Sequence, residues 1–111
     1  NAENPEKNFR PSPGEIKGMY LPGGNGIRID SAIYSGYVIP PNYDSMIAKI
    51  IAYGTTRNEA ISKMTRALEE LVIEGIETNR DFLYSIVKNH NFIRGKYDTS
   101  FIDIELKQKE V

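Results

Sequence analysis

Few residues in this chain have the type and spacing that suggest chemistry. Gly23-Gly24-Asn25-Gly26 has the glycine density of a phosphate-binding loop. Such loops hand over to a helix N-terminus, whose free amides and dipole hold the anion. Here a strand pattern follows instead, Ile27 and Ile29 alternating with Arg28 and Asp30, and no Gly-Lys-Ser or Gly-Lys-Thr occurs. The cluster therefore reads as a tight hairpin at Asn25-Gly26, because both residues tolerate positive φ. The single histidine, His90, lies between two asparagines at an expected helix end and lacks the partners of a metal site. Asp44-Ser45 near Lys49 has the composition of an assisted nucleophile, but no base is placed to activate Ser45. Asp44 is better suited to capping its turn or pairing with an arginine. Arg28 has two readings, a solvated strand arginine or an interface arginine paired with a carboxylate across subunits.

The elements that position these residues follow from periodicity. Residues 1–14 are polar and proline-rich, an extended lead-in closed by the turn cluster Pro11-Ser12-Pro13-Gly14. A short strand is expected over 15–21, a second from Ile27, a third over 32–39 and a fourth over 46–53. Pro40-Pro41 cannot carry a ladder, so the chain must leave one strand there, turn through 42–44 and begin another. Thr56-x-x-Glu59 is a capping box, followed by Ile61, Met64, Leu68 and Leu71 at helical spacing. Val72-Ile73 and Gly75 mark a change from helix to strand. Thr78 or Asn79 caps a second helix over Phe82, Leu83, Ile86 and Val87, ending near 89–91. Asp98 or Thr99 caps a third over Phe101, Ile104 and Leu106, and the tail 107–111 is expected to fray. An antiparallel β-meander followed by two or three helices makes the expected fold α+β, one domain over 1–111.

Composition narrows function further. The chain has 111 residues, 40% of them hydrophobic and 26% charged, with a net charge of -1. Interspersed acids and bases give no electrostatic footprint for nucleic acid or an anionic membrane. The absence of cysteine removes disulfides, a thiol nucleophile and thiolate-bound zinc, and fits a reducing, cytoplasmic compartment. No apolar run approaches the roughly 20 residues needed to span a bilayer.

A set of ordered words carries a resemblance across almost the whole chain. They are Phe9-Arg10-Pro11-Ser12-Pro13-Gly14, the run from Pro22 to Ser31, the run from Tyr37 to Lys49, Arg66-Ala67-Leu68, Gly75-Ile76-Glu77-Thr78-Asn79 and Asp98-Thr99-Ser100-Phe101. In this order they resemble the C-terminal region of the biotin carboxylase family. In that family ATP and bicarbonate give carboxyphosphate, whose breakdown supplies carbon dioxide to a deprotonated ureido nitrogen of biotin. The resemblance implies an ATP-grasp module N-terminal to the matched region, holding the glycine-rich lid, the phosphate lysines and the magnesium carboxylates. It also implies an arginine for biotin and bicarbonate just before the word that opens this chain, Asn1-Ala2-Glu3. The expectation is therefore a C-terminal domain inactive alone, holding no cofactor itself, within a parent that uses ATP, magnesium and carrier-bound biotin.

By the same resemblance, Arg28 and Asp44 match an arginine and an aspartate at the interface of biotin carboxylase homodimers. Asn25 falls where some members carry phenylalanine at that interface, and Lys63 where some carry arginine. Both departures weaken the expected self-association, because asparagine offers far less anchor area than phenylalanine. Phe101 falls where the family offers an apolar contact to the adenine of ATP, and helix core is its other reading. The implied partners are the ATP-grasp part of the same chain, a biotin carboxyl carrier protein and a second copy. Val38, Ile39 and several tyrosines are expected on surfaces that the ATP-grasp part covers. The parent is expected to be the biotin carboxylase subunit of an acetyl-CoA carboxylase, serving fatty-acid synthesis. Pyruvate and propionyl-CoA carboxylases share the domain. Two further readings stand beside it: a non-catalytic interaction module with the same fold, and a small-molecule-binding domain resting on the glycine cluster alone.

Overall fold

The computed structural model describes residues 1–42 and 44–109, with side chains described as far as Glu105. The expectations for Tyr43, for the side chains from Leu106 onward and for residues 110–111 fall outside these described residues, while the tail expected to fray from 107 is helical through Lys109. Strands β1 (Glu3–Asn4), β2 (Arg10–Pro11), β3 (Gly14–Glu15), β4 (Gly18–Tyr20), β5 (Ile27–Ser31), β6 (Val38–Ile39), β7 (Ala48–Ala52) and β8 (Val72–Glu74) form short antiparallel ribbons. Helices α1 (Arg57–Glu70), α2 (Arg80–Val87), α3 (His90–Ile93) and α4 (Phe101–Lys109) complete the α+β fold.

The α+β class and the antiparallel pairing are as the periodicity predicts, but most partners are not neighbours in sequence. β3 pairs with β6, β4 with β8, and β5 with β7; only β1 and β2 are consecutive. Asn25-Gly26 therefore does not close a hairpin between β4 and β5. A tight turn does form there, with the Ile27 amide donating to the Gly24 carbonyl at 3.2 Å. Buried Pro22 lacks the donor that β4 would need to extend toward β5. The turn is docked on α1 instead: an Arg66 nitrogen donates to the Gly23 carbonyl at 3.3 Å. The expected strand over 32–39 shrinks to Val38–Ile39. The Ser35-Gly36 turn breaks it, with Gly36 at φ 94 and the Tyr37 amide bonded to the Tyr34 carbonyl.

The lead-in also differs from expectation. Ala2 is 1% exposed and packs with Ile16 and Ile39, ringed by Met19, Ile33 and Ile73. Its amide donates to the Ser45 carbonyl and its carbonyl accepts from the Ser12 amide. The N-terminal residues are thus a seam of the fold rather than an appendage. Gly75, at φ 104, allows β8 to pass the β3–β4 corner, because a Cβ there would strike the Glu15 carbonyl.

The β5·β7 ribbon is the longest, with Ile27 opposite Ala52 and Ser31 opposite Ala48. Period-2 alternation puts Ile27, Ile29, Ile50 and Ala52 on one face, which packs on α1. Arg28, Asp30, Lys49 and Ile51 occupy the other. Helix α1 starts at Thr56, whose hydroxyl accepts from the Glu59 amide at 3.1 Å. The reciprocal bond of the expected capping box reaches one residue further back: Glu59 accepts from the amide and hydroxyl of Thr55. At the far end Leu68 is buried, and α1 packs on α2, which buries Phe82 and Val87. Arg80, at the start of α2, donates from Nε to the Leu68 carbonyl at 2.7 Å and from Nη2 to the Glu69 carbonyl at 3.0 Å. It satisfies carbonyls that the helix cannot and places positive charge at the negative end of the dipole.

Removing that group with Arg80→Ala is expected to lower stability by about 1–2 kcal/mol, low in the range for charge-assisted bonds because the side chain is partly exposed. A shifted urea midpoint with unchanged slope would show it. The α1 start responds to acid. The Thr55 hydroxyl, then Lys63, hold the Glu59 carboxyl below its ordinary value. A carboxylate depressed in the folded state stabilises above its unfolded pKa, and that contribution is lost as pH falls through the folded value. Acidification from the ordinary glutamate range downward is expected to fray the first turn of α1. Amide exchange would follow it, and Glu59→Gln should abolish the pH dependence.

Candidate functional site

The outer face of β5·β7 gathers part of the expected interface set. Arg28 stands on it with its side chain 72% exposed, bonded through Nε to Asp30 at 3.1 Å. Its two terminal nitrogens make no hydrogen bond among the described residues, which leaves a planar donor edge facing solvent. Across the ribbon lie Lys49, opposite Asp30, and Ile51, opposite Arg28. Tyr53 follows β7 and is 72% exposed. The ribbon alternation 49, 51, 53 carried the signal for Ile51 and Tyr53, which the reading of single charged residues passed over.

Asn25 is exposed at the turn that opens β5. Lys63 approaches the same turn from α1. Its Nζ lies 2.6 Å from where a Gly26 Cβ would stand and 3.2 Å from a Glu59 oxygen. Asn25 and Lys63 therefore meet at the turn that opens β5, whereas Arg28 stands on the ribbon face turned away from α1. Asp44 does not join them, since it precedes β7 near the end where Ser31 pairs with Ala48. There it caps its own turn, accepting from the Met46 amide at 3.0 Å.

Phe101 opens α4 and is half-buried in an aromatic cluster. Its ring lies 5.9 Å from Tyr97, edge-on, and 6.3 Å from Phe92. Asp98 provides the cap, accepting from the Ser100 amide and hydroxyl, which hold its carboxyl below the usual range. Val38 is 61% exposed, as expected, whereas Ile39 is 5% exposed and belongs to the core. Ile39 pairs with Gly14, which carries no side chain, and closes over Ala2 and Ile16.

The remaining candidates have structural roles. Ser45 donates to a Glu3 carboxylate, and Lys49 sits opposite Asp30, so no nucleophilic pair forms. His90 is exposed at the first position of α3. Among the described residues no group of three or more His, Asp or Glu side chains is arranged to hold a metal ion. No described helix is long and apolar enough to cross a membrane. An apolar groove of about 310 Å³ opens between β7, α1 and α2, lined by residues that include Ile47, Ile50, Met64, Leu83 and Ile86.

The family profile described as biotin carboxylase C-terminal domain matches residues 1–104. Biotin carboxylase 1 of Bacillus subtilis is 62% identical over 104 residues, covering 93% of this chain and 23% of that protein. A pyruvate carboxylase subunit of Methanothermobacter thermautotrophicus is 50% identical over 103 residues, covering 93% of this chain and 21% of that protein. The crystallised biotin carboxylase domain dimer of Hydrogenobacter thermophilus 2-oxoglutarate carboxylase, complexed with MgADP, ADP and bicarbonate, superposes with a TM-score of 0.92 at 42% identity. That match covers 94% of this chain and 23% of the other. The chain thus spans about a quarter of the length of the relatives it matches. Agreement in sequence and in backbone over nearly all of its residues means that this chain belongs to the biotin carboxylase C-terminal domain family.

Proposed function

We propose that this chain is the C-terminal part of an ATP-dependent biotin carboxylase that carboxylates carrier-bound biotin with bicarbonate. The observation that carries the reading is the close superposition on a biotin carboxylase domain dimer bound to MgADP and bicarbonate. The chain's own contribution is a wall and an interface. Phe101 offers an aromatic face suited to a nucleotide base, backed by Tyr97 and Phe92. Arg28 offers terminal nitrogens that are unpaired among the described residues and suited to a carboxylate on a second copy, with Asn25 and Lys63 at the turn that opens β5 and Asp44 near the other end of the ribbon. On this reading magnesium and the phosphate-handling lysines belong to the ATP-grasp part that the family resemblance implies. That part and a biotin carboxyl carrier protein are the further partners, in the cytoplasm.

The parent we favour is an acetyl-CoA carboxylase; the 62% identical relative supports the biotin carboxylase step common to every such parent. The 50% identical pyruvate carboxylase relative supports a second reading, in which the carboxyl group passes to a keto acid.

Joined to an ATP-grasp portion, the chain is expected to support ATP hydrolysis that requires both bicarbonate and biotin, whereas the isolated chain supports none. Continued inactivity of a well-folded longer protein would overturn the enzyme reading. Arg28→Glu is expected to convert a dimeric parent to monomer by light scattering without altering its circular dichroism. Equal masses for the two proteins would remove Arg28 from the interface.

A further inference from the structure

Arg57 is the first residue of α1, where a positive charge opposes the helix dipole. Its Nη2 donates to the Phe92 carbonyl. Its guanidinium carbon lies 4.9 Å from the Phe92 ring centroid and 5.6 Å from that of Tyr97. Phe92 and Tyr97 stack at 5.1 Å with 27° between their planes, and Tyr97 meets the Phe101 ring edge-on. One guanidinium thus ties the start of α1 to the two rings against which Phe101 rests. Little else holds α4. Among the described residues it packs extensively on no other element, and its Ile102 and Ile104 are exposed. The Asp98 cap sets where α4 begins but does not attach it to the body of the fold.

We propose that Arg57 is a positioning residue that acts through Phe92 and Tyr97 to hold the Phe101 ring in place, and so tunes affinity for the adenine base in the parent carboxylase. This rests on the reading of Phe101 as an adenine contact. The cluster links a helix that is anchored at both ends to one that is not, so its loss frees α4 without unfolding α1. The cation–aromatic geometry also makes the link depend on the guanidinium itself, through its charge, its plane and its donor to the Phe92 carbonyl.

Two measurements test it. In the 111-residue chain, Arg57→Ala should speed amide exchange over residues 101–105 while leaving exchange in α1 beyond its first turn unchanged. Unchanged exchange over 101–105 would overturn the clamp whatever the parent does. In the full-length carboxylase, Arg57→Ala should raise the KM for ATP about two- to five-fold, the change matching an exposed cation–π contact. The KM for bicarbonate should stay constant, and Arg57→Lys should recover part of the loss. Combining Arg57→Ala with Phe101→Ala should raise the KM for ATP no further than Phe101→Ala alone. Additive effects would show that Arg57 does not act through Phe101 and would overturn the proposal. If Phe101→Ala leaves the KM for ATP unchanged, the adenine reading itself fails, even with α4 loosened.

Discussion

The carbonyls of Leu68 and Glu69 lack partners within α1, and the end of that helix faces α2 rather than open water. The Arg80 guanidinium resolves this by donating to both carbonyls, and because Arg80 is the first residue of α2 it joins two helices with one side chain. Most of the architecture follows from that junction. It sets α2 against α1, burying Phe82 and Val87, and Phe82 meets the Phe9 ring at 5.0 Å. Just before α2, the Asn79 amide bonds to the Asn1 carbonyl, so the junction also anchors the N-terminal seam. A Tyr84 hydroxyl donating to Glu69 adds a further link between the helices. In a domain whose sheets are two strands wide, such side-chain-to-backbone bonds carry the positioning that a larger sheet would supply by its ladder.

The other end of α1 organises the exposed corner of the β5·β7 ribbon. Thr56 and Glu59 close the first turn, Lys63 rests over Gly26, and Arg66 holds the Gly23 carbonyl. The ion pairs involved are partly solvated and contribute little stability. Their effect is geometric: they hold the turn before β5 against the helix, which fixes where Asn25 and Arg28 face. Gly26 is required because its φ of 81 suits glycine and a Cβ there would stand 2.7 Å from the Tyr53 carbonyl oxygen. That corner is thereby continuous with the helix core, so a change in α1 would reach the ribbon face proposed to meet a second copy.

The molecule divides into an inner side that completes its own core and outer surfaces on which large apolar side chains stand exposed. The ribbon's outer face pairs a solvent-facing guanidinium with exposed Ile51 and Tyr53, a mixture of aromatic, aliphatic and arginine groups suited to a protein interface. The groove between β7, α1 and α2 is apolar, whereas the catalytic chemistry expected of the parent needs phosphate and metal ligands.

Much of this was legible in the sequence. Period-2 and period-3.6 patterns place β5, β7, α1 and α2, the prolines at 40 and 41 mark the end of β6, and ordered words carry the family. These are local signals, written in backbone propensity and in the alternation of buried faces. Strand partnership was not legible, because an unpaired edge has no sequence code for which distant edge it meets; β4 meets β8 across the whole of β5, β6, β7 and α1. For the same reason Ala2 read as a lead-in, while the structure buries it beneath Ile16 and Ile39. Arg57 and Arg80 show the limit most clearly. Each is one arginine among several in the sequence, and its role exists only once the chain brings two aromatic rings, or two unpaired carbonyls, within reach of its guanidinium. Sequence alone determined the class of fold, the places of α1, α2 and α4 and the family, but not α3; tertiary structure decided which side chains act, because a hydrogen bond or a ring contact depends on proximity in space rather than along the chain.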